Sequence, residues 1–116
     1  MDEMTKNYSG RGPTQDCIVK PDILAPGADI VSCLSNTVSE KRAKNHEITQ
    51  GVYVSMSGTS MSTPIVSGAI ALLLELYPSL SPDDVKLKLK QSADDLNFPQ
   101  NQQGWGLLNI KKLLEL

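Results

Sequence analysis

The octapeptide SGTSMSTP, Ser57 to Pro64, sets a run of hydroxyl side chains and one glycine directly before a strongly apolar stretch. Hydroxyls at such a junction do one of three things. They cap the unpaired N–H groups of a helix start, help to hold an anion there, or supply the nucleophile for acyl transfer. The third role needs a hydroxyl beside unpaired N–H groups and the positive end of a helix dipole, so that an oxyanion forming next to it is stabilised. Ser60 is the candidate nucleophile. Gly58 carries no side chain that would obstruct an approaching substrate backbone. In the capping alternative Ser60 is the N-cap, with Thr59 and Ser62 assisting. The anion alternative lacks the second glycine and the lysine of a phosphate loop.

The elements that would position these residues follow from periodicity and punctuation. GVYVSMS alternates Val52, Val54 and Met56 against Tyr53, Ser55 and Ser57, which predicts a strand ending at Gly58. From Ser60 to Tyr77 the apolar residues cover every face of a helical wheel, the pattern of a buried helix. Pro64 is tolerated only in a first turn, so this helix is expected to begin near Met61 or Ser62, and Pro78 stops it. Ser81, Pro82, Asp83 and Asp84 form an N-cap, a first-position proline and first-turn carboxylates, opening a second helix. Within it Val85, Leu87 and Leu89 alternate with lysines, but the cap signals decide for helix. A glycine turn around Trp105, which packs the turn onto the core, leads to a short amphipathic helix from about Asn109. Upstream, Ile18 to Leu24 is a short strand candidate interrupted by Pro21, followed by a turn at Pro26-Gly27. ADIVSCLS is another strand candidate, Asn36 to Gln50 a polar loop or hairpin insertion, and the opening residues to Asp16 a loop.

Composition sets the class. The 116 residues are 40% hydrophobic and 21% charged with a net charge of −2, as expected of one soluble globular domain. Nucleic acid is excluded as a partner because phosphate binding needs a basic surface. Lys41 to His46 sits beside Glu40 and Glu47 and is read as a solvated loop. No signal-peptide pattern opens the chain. The apolar run Ile65 to Tyr77 contains Glu75 and falls short of the roughly 20 residues of a membrane span, so no membrane partner is expected. Cys17 and Cys33 fit no metal spacing and are read as reduced thiols, which favours the cytoplasm slightly over secretion.

SGTSMSTPIVSGAIALLL closely resembles the active-site serine segment of the subtilisin-like serine proteases, the subtilases, in which a Gly-Thr-Ser-Met-(Ala or Ser)-x-Pro string opens the central helix. YSGRGPTQDCIVKPDILAPGADIVS resembles the family's block before that serine, and GWGLLNIKKLL its closing segment. The three blocks stand in family order and cover nearly the whole chain. The resemblance implies an α/β chain. Residues 1–116 would be the C-terminal part of a catalytic domain with a partial three-layer subtilisin-like fold: a mainly parallel sheet, a buried central helix and C-terminal helices. It implies peptide-bond hydrolysis through an acyl-enzyme on Ser60, whose own N–H donates to the oxyanion, with Thr59 supporting that site and Ser57 and Gly58 lining the substrate's approach. Peptides or proteins would be the substrates. No cofactor is expected in this stretch, with calcium a candidate for the complete protein.

The family's chain order of Asp, His and Ser places the other triad members upstream, and only 59 residues precede Ser60. The fragment alone is therefore expected to be inactive. His46 matches no histidine motif of the family. Asp22, Asp29, Asp83 and Asp84 are read as structural. The alternative is a non-catalytic pseudo-protease or interaction module on the same fold. Uncovered apolar surface around Ile65, Ile70 and Leu73 would make the fragment self-associate.

Overall fold

The computed structural model describes residues 9–35, 48–49 and 53–115. Three short strands, β1 (Ile30–Cys33), β2 (Ile48–Thr49) and β3 (Tyr53–Met56), form a sheet in the order β1-β3-β2. Both pairings are antiparallel, with Ile30 opposite Met56, Cys33 opposite Tyr53 and Ile48 opposite Val54. Four helices follow: α1 (Thr59–Leu76), α2 (Pro82–Ser92), α3 (Gln100–Gln103) and α4 (Ile110–Glu115). The expected strands at ADIVSCLS and GVYVSMS are β1 and β3. Most of Asn36 to Gln50, His46 included, lies outside the described residues.

The segment Ile18 to Leu24 is not a strand. Pro21 has no N–H to give a ladder, and only Leu24 pairs, as a single parallel bridge to Leu107. The Leu24 N–H donates to the Gly106 carbonyl at 2.9 Å, and the Leu108 N–H to the Leu24 carbonyl at 2.8 Å. Among the described residues, parallel pairing is confined to this bridge. The chain passes through α1, α2 and α3 between its two partners, the kind of long crossover that parallel pairing requires. Asp94 pairs antiparallel on the other side of Leu107.

Helix α1 begins earlier than Pro64 suggested. Gly58 is its N-cap, with φ of 151°, and the Met61 N–H already returns to the Gly58 carbonyl at 3.0 Å. Pro64 therefore sits inside the helix, where it gives the Ser60 carbonyl no N–H to accept.

The all-round burial expected of α1 is also corrected. Ala69 and Leu73 are its buried residues, while Leu72 and Leu76 are 47% and 54% exposed. Gly68 faces open space, with nothing within 4 Å of where a Cβ would stand. Among the described residues α4 packs against this helix and α2 against α4, all three sharing one core, and the buried Ala69 and Leu73 lie four residues apart on one stripe of α1. With a mean hydropathy of 1.4 over 18 residues, α1 is long and apolar enough to cross a membrane, which revises the length argument above. Core helices of soluble proteins share these properties, and Ala69 and Leu73 belong to such a core.

Helix α2 forms where its start signals place it. The Asp84 N–H donates to the Ser81 hydroxyl and the Ser81 N–H to the Asp84 carboxylate, a complete capping box. Val85, Leu89 and Ser92 are buried at helical spacing and Leu87 is exposed. The Asn109 side chain accepts from the Lys112 N–H at 2.9 Å to start α4. The core gathers Ala69, Leu73, Val85, Leu89, Leu108 and Leu113, with Trp105 packed against it as expected. Cys17 and Cys33 are free and exposed.

Candidate active site

The junction between β3 and α1 is clamped to the segment Ala25 to Asp29 by three hydrogen bonds. The Ser57 hydroxyl accepts from the Asp29 N–H at 2.8 Å, the Gly58 N–H donates to the Gly27 carbonyl at 2.7 Å, and the Ser62 hydroxyl donates to the Ala25 carbonyl at 3.0 Å. Two glycines make the clamp feasible. Gly58 holds a φ of 151° that L side chains rarely adopt. A Cβ on Gly27 would stand 2.3 Å from the Ser62 hydroxyl and 2.9 Å from the Gly58 carbonyl oxygen. Sequence reading recognised Gly27 only as a turn residue; its close approach to the start of α1 joins positions 31 residues apart and leaves no local signal.

Ser60 is the second residue of α1 and is exposed. It lines a concavity of about 460 Å³ between the sheet and the helix, shared with Ile30, Cys33, Met56, Met61 and Ile65. Among the described residues neither its hydroxyl nor its backbone N–H has a hydrogen-bond partner, and the Thr59 N–H has none. The capping alternative fails on geometry. Gly58 is the N-cap, no side chain caps this end, and the Ser62 hydroxyl is committed to Ala25. Thr63 and Ser67 turn back onto the Thr59 and Thr63 carbonyls. Ser60 thus stands where a helix start presents unsatisfied donors and positive potential.

The other sequence candidates are placed as follows. Gly58 turns the chain into α1, and Ser57 is engaged by Asp29. Thr59 faces a second concavity, of about 920 Å³, rather than that of Ser60. Asp22 pairs with the Lys20 ammonium at 2.7 Å, and its carbonyl accepts from the Trp105 N–H. Asp83 and Asp84 occupy the first turn of α2. The described residues lining the Ser60 concavity include no imidazole, carboxylate or amine.

Among the described residues three carboxylates are held below the usual range, and none lines that concavity. For Asp84 the cause is hydrogen bonding from Ser81, for Asp94 the side chains of Lys112 and Asn109, and for Asp95 the amide of Gln103 with the Asn97 N–H. These groups stabilise turns and helix starts. Among the described residues no group of three or more His, Cys, Asp or Glu could hold a metal ion.

Comparison with solved structures places this geometry. The chain superimposes on the CspB protease of Clostridium perfringens with a TM-score of 0.70 and 30% identity, over 92% of this chain and 22% of that one. It superimposes on fervidolysin from Fervidobacterium pennivorans, a keratinolytic enzyme related to subtilisin, with a TM-score of 0.65 and 31% identity over 78% and 14%. The architecture is a partial α/β subtilisin fold. Serine protease AprX of Bacillus subtilis is 46% identical over 94 residues, 80% of this chain and 21% of its own length. Subtilisin-like protease SBT3.9 of Arabidopsis thaliana is 41% identical over 88 residues, 74% and 11%. The chain thus spans about a fifth or less of these relatives. The model of the subtilase family, Peptidase S8, matches residues 2–106, and the chain belongs to that family of subtilisin-like serine proteases.

Proposed function

We propose that Ser60 is the nucleophile of a serine endopeptidase whose complete catalytic domain includes these 116 residues. The observation that carries this reading is the pairing of an exposed, unpartnered Ser60 hydroxyl with the unpartnered Ser60 N–H at the second position of α1. The hydroxyl oxygen attacks the scissile carbonyl carbon, and the Ser60 N–H donates to the oxygen that takes up the negative charge. Collapse of that intermediate expels the amine and leaves an ester on Ser60, which water then hydrolyses. Gly58 leaves the approach to the hydroxyl open, and Ser57 fixes Gly58 by holding the Asp29 N–H. Thr59 adds a second N–H at the helix start.

The proton leaving Ser60 needs a base, and the described lining of its concavity holds none. A serine without a base is a weak nucleophile. The 116 residues alone are therefore inactive in this reading, and the base comes from the remainder of the domain. Peptides and proteins are the substrates.

The test uses a fluorophosphonate probe on the full-length protein that carries these residues. Labelling that is lost in Ser60→Ala, with no labelling of the 116-residue chain alone, supports the reading. Absence of labelling in a folded full-length protein would make it a pseudo-protease that keeps the serine segment for structure.

A further inference from the structure

Ser60 and Ser62 stand two residues apart in α1, about 200° around the helix axis, and face opposite sides. Ser60 lines the smaller concavity with Met61 and Ile65, whereas Ser62 lines the larger one with Thr63 and Val66. The Ser62 hydroxyl donates to the Ala25 carbonyl at 3.0 Å in a partly buried contact. Of the three bonds that clamp this junction, it is the one that springs from within α1. Gly58 and Ser57 tie the chain before the helix starts, and the Ser57 contact is exposed. Among the described residues the first turn of α1 has no side-chain cap, and Pro64 offers the Ser60 carbonyl no N–H. Its own backbone holds this turn weakly.

The geometry points to Ser62 as a positioning residue for Ser60, an inference that rests on the reading of Ser60 as the nucleophile. The tie at Gly58 fixes where the chain enters α1, and the tie at Ser62 fixes how far the first turn is rotated. Ser60 lies between the two. The segment from Ala25 to Asp29 leads directly into β1, whose residues line the Ser60 concavity. One bond therefore sets both the direction of the Ser60 hydroxyl and its spacing from that strand. Partial burial shields this bond from water and strengthens it. Ser62 touches no reacting atom in this role. The family string that opens the central helix carries either alanine or serine at this position, so removing the hydroxyl leaves a sequence the fold accepts.

Fluorophosphonate inactivation of the full-length protein, resolved into a maximal rate and a half-saturating probe concentration, is the test. Ser62→Ala should lower the maximal rate about threefold or more, because its shift is a fraction of the ~1 Å displacement that costs about 10²-fold. The half-saturating concentration should stay at the wild-type value, since no group that binds the probe is removed. Ser62→Thr, which keeps the hydroxyl, should return the maximal rate toward wild type. All three proteins are compared at a temperature where circular dichroism shows each fully folded, so lost stability alone moves neither constant. An unchanged maximal rate in Ser62→Ala overturns the inference and leaves the nucleophile reading standing. A fall that Ser62→Thr fails to restore, or one confined to the half-saturating concentration, overturns it equally. A folded wild-type protein that takes no label overturns the nucleophile reading itself, and this role of Ser62 with it.

Discussion

Replacing Gly27 by alanine tests whether the clamp on α1 positions Ser60. The added Cβ would stand 2.3 Å from the Ser62 hydroxyl and 2.9 Å from the Gly58 carbonyl oxygen. The hydroxyl can rotate away, but it then gives up its bond to the Ala25 carbonyl, a loss of about 1 kcal/mol. The Gly58 carbonyl is backbone and cannot rotate away by itself. Moving it shifts the acceptor of the Met61 N–H and with it the first turn of α1. Overpacking of this kind costs about 1–3 kcal/mol, so the two effects together destabilise by roughly 2–4 kcal/mol.

Displacing a reacting group by about 1 Å costs about 10²-fold in rate. The shift needed here is several tenths of that distance, so fluorophosphonate labelling of Ser60 in the full-length protein should slow by about tenfold. Urea unfolding of the chain reads the first effect. Labelling under conditions where the variant is fully folded reads the second. Gly10→Ala is the control, since nothing lies within 4 Å of its added carbon. A Gly27→Ala variant with unchanged urea midpoint and unchanged labelling rate would refute the claim that this contact sets the serine's position.

Three further outcomes follow from packing and charge. Leu73, fully buried, should cost about 2–5 kcal/mol when cut to alanine, whereas Leu72→Ala, 47% exposed one residue away, should stay within about 0.5 kcal/mol in thermal unfolding. Gly68→Ala should stabilise the chain by roughly 0.5–1 kcal/mol, because the site is open and alanine is the better helix former. Asp94 is held below the usual carboxylate range by Lys112 and Asn109, which bind its ionised form; its contribution is present above the unfolded value near 3.9 and is lost as pH falls through the lower folded value. Asp94→Asn should therefore flatten the decline of the urea midpoint between pH 5 and acid conditions, and an unchanged acid slope would show that the contact to α4 does not contribute.

What the sequence made legible was local chemistry. The start of α2 could be read from Ser81, Pro82 and Asp84 because a capping box is completed within four residues. The strands β1 and β3 could be read because alternation is a property of neighbours. The Ser60 junction was legible through its glycine and the apolar run behind it. What could not be read depends on distant partners. Leu24 pairs with Leu107 across most of the chain, and Gly27 meets Ser62 through a close approach that no spacing encodes. The start of α1 was misplaced because Pro64 was taken to mark the first turn, whereas the turn at Gly58 decides it.

Burial of α1 was the largest misreading, and it bears on the function. A helix apolar on every face is patterned for contact on every face, yet Ala69 and Leu73 alone are buried along its 18 residues. The same shortfall recurs in two other currencies. Among the described residues the backbone donors of Ile23, Ala25 and Gly27 lack acceptors, and the lining of the Ser60 concavity holds no base. Apolar area, hydrogen bonds and a proton acceptor are unrelated demands, and under the proposed function one neighbour from the remainder of the domain would meet all three. The demands are separable, which makes the account testable in parts. Covering the apolar face of α1 brings no imidazole to Ser60. A partner that only shields this face should therefore leave the chain unreactive toward fluorophosphonate, and only one that also carries the base should switch labelling of Ser60 on.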